Sequence, residues 1–170
     1  MTRPPDGSGS GLTHVDATGA ARMVDVSAKD VTARTATAAG HLRVTREVAD
    51  LLRAGDMPKG DALGVARIAG IMGAKRTPDV IPLCHPIALS GVKVELTVQD
   101  DRVEITATTR TTDRTGVEME ALTAVAVAGL ALHDMVKAVD PAAVLTDIRL
   151  VTKTGSRSGD WHRPPAGASP

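Results

Sequence analysis

The chain has 170 residues, enough for one domain with a substantial buried core. Twenty Lys plus Arg balance twenty Asp plus Glu, and this zero formal charge argues against a nucleic-acid-coating or membrane-surface protein, which carries a basic excess. With no Tyr or Phe and a single Trp, base-stacking platforms are excluded, and the core must be built from Val, Leu, Ile, Ala and Met.

Cys84 is the only cysteine, so no intrachain disulfide can form and a reducing compartment is expected. Residues 1–11 are mostly Pro, Gly and Ser and lack the apolar stretch of a signal peptide, so they read as a disordered tail and the protein as cytoplasmic. Residues 162–170 have the same character, which leaves 12–161 as a single domain.

Arg22–Lys29 alternates briefly and fits either a short edge strand or an extended arm. Thr32–Val44 places threonines and small residues at near period two, which predicts a strand. Thr45 then caps a helix that ends at Gly55. Asp61 is the N-cap expected for a second helix, Ala62–Lys75, with Val65, Ile68, Ala69 and Met72 along one face. The glycines of that helix, Gly64, Gly70 and Gly73, cost propensity and predict a close packing partner. Val80–Pro86 is boxed by prolines and reads as irregular. Val92–Val98 and Arg102–Thr109 alternate around a turn at Gln99-Asp100-Asp101, which predicts a hairpin.

Gly116–Val139 follows as a long alanine-rich helix, with Thr115 and Glu118 spaced for a capping box and Asp140-Pro141 as its stop. Val144–Val151 closes the domain as a strand. This order predicts an α+β fold: a ferredoxin-like two-layer sandwich, an antiparallel sheet with helices on one face.

Several groups could carry chemistry. Asp134 and Lys137 share one face of the long helix, as a surface ion pair or as an acid/base pair tuned by partial burial. Glu120 lies 14 positions before Asp134, so the two differ little in direction but stand roughly 21 Å apart along the axis. One small ligand cannot easily reach both within one subunit. Pro82-Leu83-Cys84-His85-Pro86 sets a thiol beside an imidazole, open to three readings: a zinc site, a cysteine nucleophile, or a rigid loop offering backbone amides and His85 to a ligand. Lys59 in Lys-Gly-Asp sits in a turn, and Lys75-Arg76 complement a helix C-terminus. The loop Lys153–Asp160 is phosphate-cradling in character without matching a Walker pattern.

Together LTHVD, MVDVSAK, KGD, ARIAGI, AKRTPDVIPLCHPI, TGVEMEAL, DMVKAV and SGDW resemble the cyclic pyranopterin monophosphate synthase (MoaC) family of molybdenum cofactor biosynthesis, from Leu12 to Trp161. The resemblance implies a hexamer, a trimer of dimers, with active sites between subunits. It implies a small-molecule substrate made by an upstream radical enzyme, with no nucleic-acid or membrane partner. The implied reaction is conversion of (8S)-3',8-cyclo-7,8-dihydroguanosine 5'-triphosphate to cyclic pyranopterin monophosphate with loss of diphosphate. It further implies Asp134 as general acid/base, with Lys137 and Lys59 as its catalytic companions. Leu83, Cys84, His85, Glu118, Met119, Glu120, Arg34 and Lys153 are the implied substrate-binding residues. Proton transfers and phosphate release call for no redox cofactor and no protein-bound metal, with Mg²⁺ conceivable only alongside the phosphates. His133 and the pair Ser156-Arg157 depart from the family pattern; Arg157 keeps the charge there but not the ammonium geometry.

Overall fold

The computed structural model describes residues 15–167. The tail expected over residues 1–11, Leu12 to His14 of the LTHVD motif and residues 168–170 lie outside them. Four long strands and one short one form a single antiparallel sheet: β1 (Thr32–Arg43), β2 (Leu89–Val98), β3 (Arg102–Asp113), β4 (Val144–Thr154) and β5 (Trp161–His162), in the order β2-β3-β1-β4-β5. The helices are α1 (Arg46–Ala54), α2 (Ala62–Lys75), the single turn α3 (Thr77–Val80) and α4 (Glu118–Val136). This is the expected α+β sandwich, and its order of strands and helices is compatible with a ferredoxin-like arrangement.

Period two decides the sheet. In β1 and β3, Ala36, Ala38, Leu42, Val103, Ile105 and Ala107 alternate inward and are almost wholly buried, while threonines and charged residues fill the other face. The helices cover that inner face. Thr45 caps α1 through its hydroxyl to the Val48 amide, and Gly55, at φ 75°, closes it. Asp61 caps α2 by accepting from the Gly64 amide at 2.9 Å. Buried Asp140 ends α4 and ties it to α1, accepting from the amides of Thr45 and Ala142 at 3.1 Å each. Asp140 thereby satisfies amides that would otherwise be orphaned near a helix start.

Two sequence expectations change, and one open reading is settled. The capping box at Thr115 and Glu118 does not form: α4 starts later, Val117 occupies the N-cap, and no side chain caps it. Glu118 instead turns toward Lys153. Arg22–Lys29 is an extended arm with a turn, joining no sheet. Pairing also runs past Trp161, with His162 opposite Thr152 and the Arg163 amide donating to the Val151 carbonyl at 2.8 Å.

The face of α2 that packs on α4 is the small one. A Cβ added at Gly70 would lie 2.9 Å from the Ala124 carbonyl oxygen and 3.0 Å from Ala128, and one at Gly73 would lie 2.8 Å from Val127. Val65, Ile68 and Met72 point outward, 44%, 61% and 50% exposed, and Leu130 and Val80 are exposed on the same helical layer. Periodicity locates an apolar face but does not say what it meets. Gly70→Val should force the two helices apart and cost ~1–3 kcal/mol, read as a lowered thermal midpoint. An unchanged midpoint would mean that the helices repack without strain. By length and composition α4 could cross a membrane, yet 56% of its apolar window is buried inside this fold, as a core helix requires.

Candidate active site

α4 carries functional groups at both ends, and the two ends build separate sites within one chain. At the C-terminal end Asp134 is clasped by two lysines. Lys137, one turn on, places Nζ 2.7 Å from Oδ1, and Lys59 Nζ lies 3.0 Å from Oδ2 and donates to the Asp134 carbonyl at 2.9 Å. Lys59 reaches across because its loop is pinned on both sides. Buried Met57 anchors one side, the Gly60 amide donates back to the Met57 carbonyl at φ 97°, and Asp61 begins α2.

The group is exposed rather than partly buried, with Asp134, Lys137 and Lys59 side chains 55%, 53% and 40% exposed. Hydrogen bonds from Lys137 and Lys59, followed by their charges, hold the Asp134 carboxyl down at about 2. The shift expected from burial comes instead from two ammonium groups. Asp134 is therefore a carboxylate at neutral pH, and the proton donors beside it are the lysines.

The N-terminal end of α4 lines a cavity of about 270 Å³. Leu83, Cys84 and His85 form one wall, Glu118, Met119 and Glu120 another, and Val24, Val26 and Lys29 of the arm close a third side. Two buried threonines of β3 hold the first two walls: Thr109 donates to the Val117 carbonyl at 2.9 Å and Thr111 to the Ala88 carbonyl at 2.6 Å. Neither threonine was singled out in the sequence. The available signal was a hydroxyl at inward positions of a strand where an aliphatic side chain would pack.

Glu120 is only 3% exposed, and burial pushes its carboxyl up to about 7; a bond from its own amide lowers it and the charge of Glu118 adds to the rise. Burial and the nearby Glu120 charge also raise the Cys84 thiol, which weakens the nucleophile reading. The His85 Nε2 lies 2.7 Å from the Val24 carbonyl, so it carries the proton and donates to the arm. That imidazole nitrogen is engaged with backbone, which favours the rigid-loop reading.

Lys153 and Arg34 stand at the same end of the fold. Lys153 Nζ is 3.3 Å from Glu118 Oε1, and Arg34 donates to the carbonyls of Asp113 and Arg114, each at 3.2 Å, beneath the start of α4. Among the described residues no group of three or more His, Cys, Asp or Glu side chains is placed to hold a metal ion. The chain thus brings Leu83, Cys84, His85, Glu118, Met119, Glu120, Lys153 and Arg34 to one end of α4. It leaves Asp134, Lys137 and Lys59 at the other.

A cavity lined by titratable groups at one end of an α+β domain, with a lysine-clasped carboxylate at the other, is the arrangement of a protein that takes a small-molecule ligand. Residues 23–156 match the sequence pattern of the MoaC family, and the chain belongs to that family. It is 68% identical over 163 residues to the cyclic pyranopterin monophosphate synthase of Streptomyces coelicolor (94% of this chain, 96% of the relative). The synthase of a Nocardioides species is 69% identical over 156 residues, covering 90% of this chain and 96% of the relative. That of Rhodospirillum rubrum is 58% identical over 163 residues, covering 95% and 98%.

Proposed function

We propose that the protein is a cyclic pyranopterin monophosphate synthase, a lyase of molybdenum cofactor biosynthesis. In this reading it takes (8S)-3',8-cyclo-7,8-dihydroguanosine 5'-triphosphate to cyclic pyranopterin monophosphate and releases diphosphate. The observation that carries the reading is the Asp134 carboxylate between two ammonium groups, in a chain similar over most of its length to relatives of that name.

The roles follow from the chemistry. Lys137 and Lys59 are the acids that protonate nitrogen or oxygen, and Asp134 is the base that takes protons back. A carboxylate held near 2 is a weak base while both lysines bind it. When a phosphate or oxyanion of the substrate draws one ammonium away, the carboxylate loses part of that stabilisation and its basicity rises. Glu120, His85 and the 83–85 loop orient the ring system, while Lys153 and Arg34 offer cations to the phosphates. No redox cofactor enters this reading, and any Mg²⁺ arrives with the phosphates.

The working unit is an oligomer, read as a hexamer built as a trimer of dimers, in the cytoplasm. Two facts support subunit-shared sites. Glu120 and Asp134 stand ~21 Å apart along one helix, too far for one small ligand. The outward Val65, Ile68, Met72 and Leu130 also give the helical layer an apolar surface of the kind that subunits cover. Purified protein incubated with the cyclised triphosphate should yield cyclic pyranopterin monophosphate and diphosphate in equal amounts. Binding without turnover would instead mark a nucleotide-sensing module.

A further inference from the structure

Just beyond the end of α4 lies a buried carboxylate that the roles above do not use. Asp140 is 7% exposed and engages both of its oxygens, Oδ2 with the Thr45 amide and Oδ1 with the Ala142 amide. The Thr45 bond ties the turn after α4 to the start of α1. From there α1 runs nine residues, roughly 13 Å, and beyond Gly55 the chain delivers buried Met57 and then Lys59. Lys59 returns to α4, donating to the Asp134 carboxylate at 3.0 Å and to the Asp134 carbonyl at 2.9 Å. α1 with its exit loop, and the last turns of α4, are thus two sides of a frame. The Asp140–Thr45 and Lys59–Asp134 bonds are its crosspieces. Val48, Leu52 and Met57 from one side and Leu132, Met135 and Val136 from the other belong to one buried cluster that fills it.

That frame gives Asp140 a purpose. Lys137 occupies the C-cap of α4, where its amide donates to the His133 carbonyl at 2.9 Å. Helix ends fray unless the chain beyond them is held. Here the amides of Val139 and Asp140 both turn back on the Val136 carbonyl, at 2.9 and 3.0 Å, and the Asp140 carboxylate anchors that turn to α1. Lys137 and Lys59 are the charged groups that face Asp134, one from each side of the frame. Their side chains and that of Asp134 are about half exposed, and exposed ion pairs fix such groups weakly. The buried crosspiece supplies the rigidity they lack. We infer that Asp140 is a positioning residue for the proposed reaction, holding Lys137 and Lys59 on Asp134 by locking the end of α4 to the start of α1. This rests on the reading of Asp134 and its two lysines as the proton-transfer group.

Asp140→Ala removes the crosspiece, and Ile105→Ala, in the other buried cluster, is the control for destabilisation alone. In the turnover assay Asp140→Ala should lower kcat at least fivefold while KM changes less than threefold. Asp140→Asn keeps one accepting oxygen and should lower kcat at least twofold; it serves as the test if Asp140→Ala does not fold. Ile105→Ala should lower the thermal midpoint yet leave kcat within twofold of wild type. Independently of turnover, brief acylation of the native protein, read by peptide mass spectrometry, should label Lys59 and Lys137 at least threefold faster in Asp140→Ala. Lys93, paired with Glu95 on β2, should label at the wild-type rate in every variant. Unchanged labelling of Lys59 and Lys137, smaller falls in kcat, or the same changes in Ile105→Ala overturn the assignment. Should the wild type make no product while labelling still depends on Asp140, the frame stands and the synthase reading fails.

Discussion

Asp134→Asn should abolish turnover, lowering kcat by ~10²–10⁴-fold, the usual worth of a positioned acid/base group. The folded state should hardly notice, because the side chain is more than half exposed and its partners are two solvent-facing lysines. A thermal midpoint within ~2 °C of wild type is the expected control. A variant that retains a third or more of wild-type kcat would remove Asp134 from the mechanism. The same substitution tests how the two ends of α4 are combined. Asp134→Asn and Glu120→Ala each inactivate a site; if one site takes Asp134 and Glu120 from different subunits, reassembling an equal mixture regenerates about a quarter of the sites intact. If both came from one chain, the mixture would stay inactive.

Glu120 offers a second large effect, on stability against pH. Its carboxyl is raised from 4.5 to about 7, chiefly by burial, so the folded protein favours the protonated form. Below pH 4.5 the group is protonated in both folded and unfolded chains and costs nothing. As pH rises the unfolded chain ionises first, and above pH 7 the folded protein bears a buried charge. Stability is therefore present at low pH and lost through the window from about 4.5 to 7. About 2.5 pH units at ~1.4 kcal/mol each put the loss at up to ~3 kcal/mol. Glu120→Gln cannot ionise, so denaturant titrations from pH 4 to pH 8 should show wild type losing up to ~3 kcal/mol relative to the variant. Parallel profiles would mean that Glu120 is solvated or paired in the assembled protein.

Much of this site was legible in the sequence, but its assembly was not. Asp61, Thr45 and Gly55 declare their roles because capping is local chemistry, settled within three or four residues. The hairpin turn around Asp100 is local in the same sense. The failed box at Thr115 shows where that logic ends: Glu118 has a partner far away in sequence, Lys153, and the long-range ion pair takes the carboxylate that the local cap would have used. α2 misleads for a related reason. Val65, Ile68 and Met72 form its most apolar face, but Gly70 and Gly73 let α4 approach the opposite side so closely that the small residues become the buried ones. Lys59 meeting Asp134 joins two segments 75 residues apart, and no spacing rule reaches that far. The arm was left open between an edge strand and an extended segment, because it is held by His85 and Arg114 rather than by any pattern of its own.

The two threonines of β3 have a consequence for how the cavity tolerates change. Thr109 grips the chain just before α4, and Thr111 grips the end of the 83–88 segment, from one inner face of one strand. The anchor points of the two walls are thus spaced by the repeat of an extended backbone, ~7 Å over two residues, acting as a ruler. Bond geometry does not relax the way packed side chains do. Substitutions deeper in the aliphatic core should drain stability well before they alter the cavity's width, which leaves the core free to vary while the site keeps its gauge.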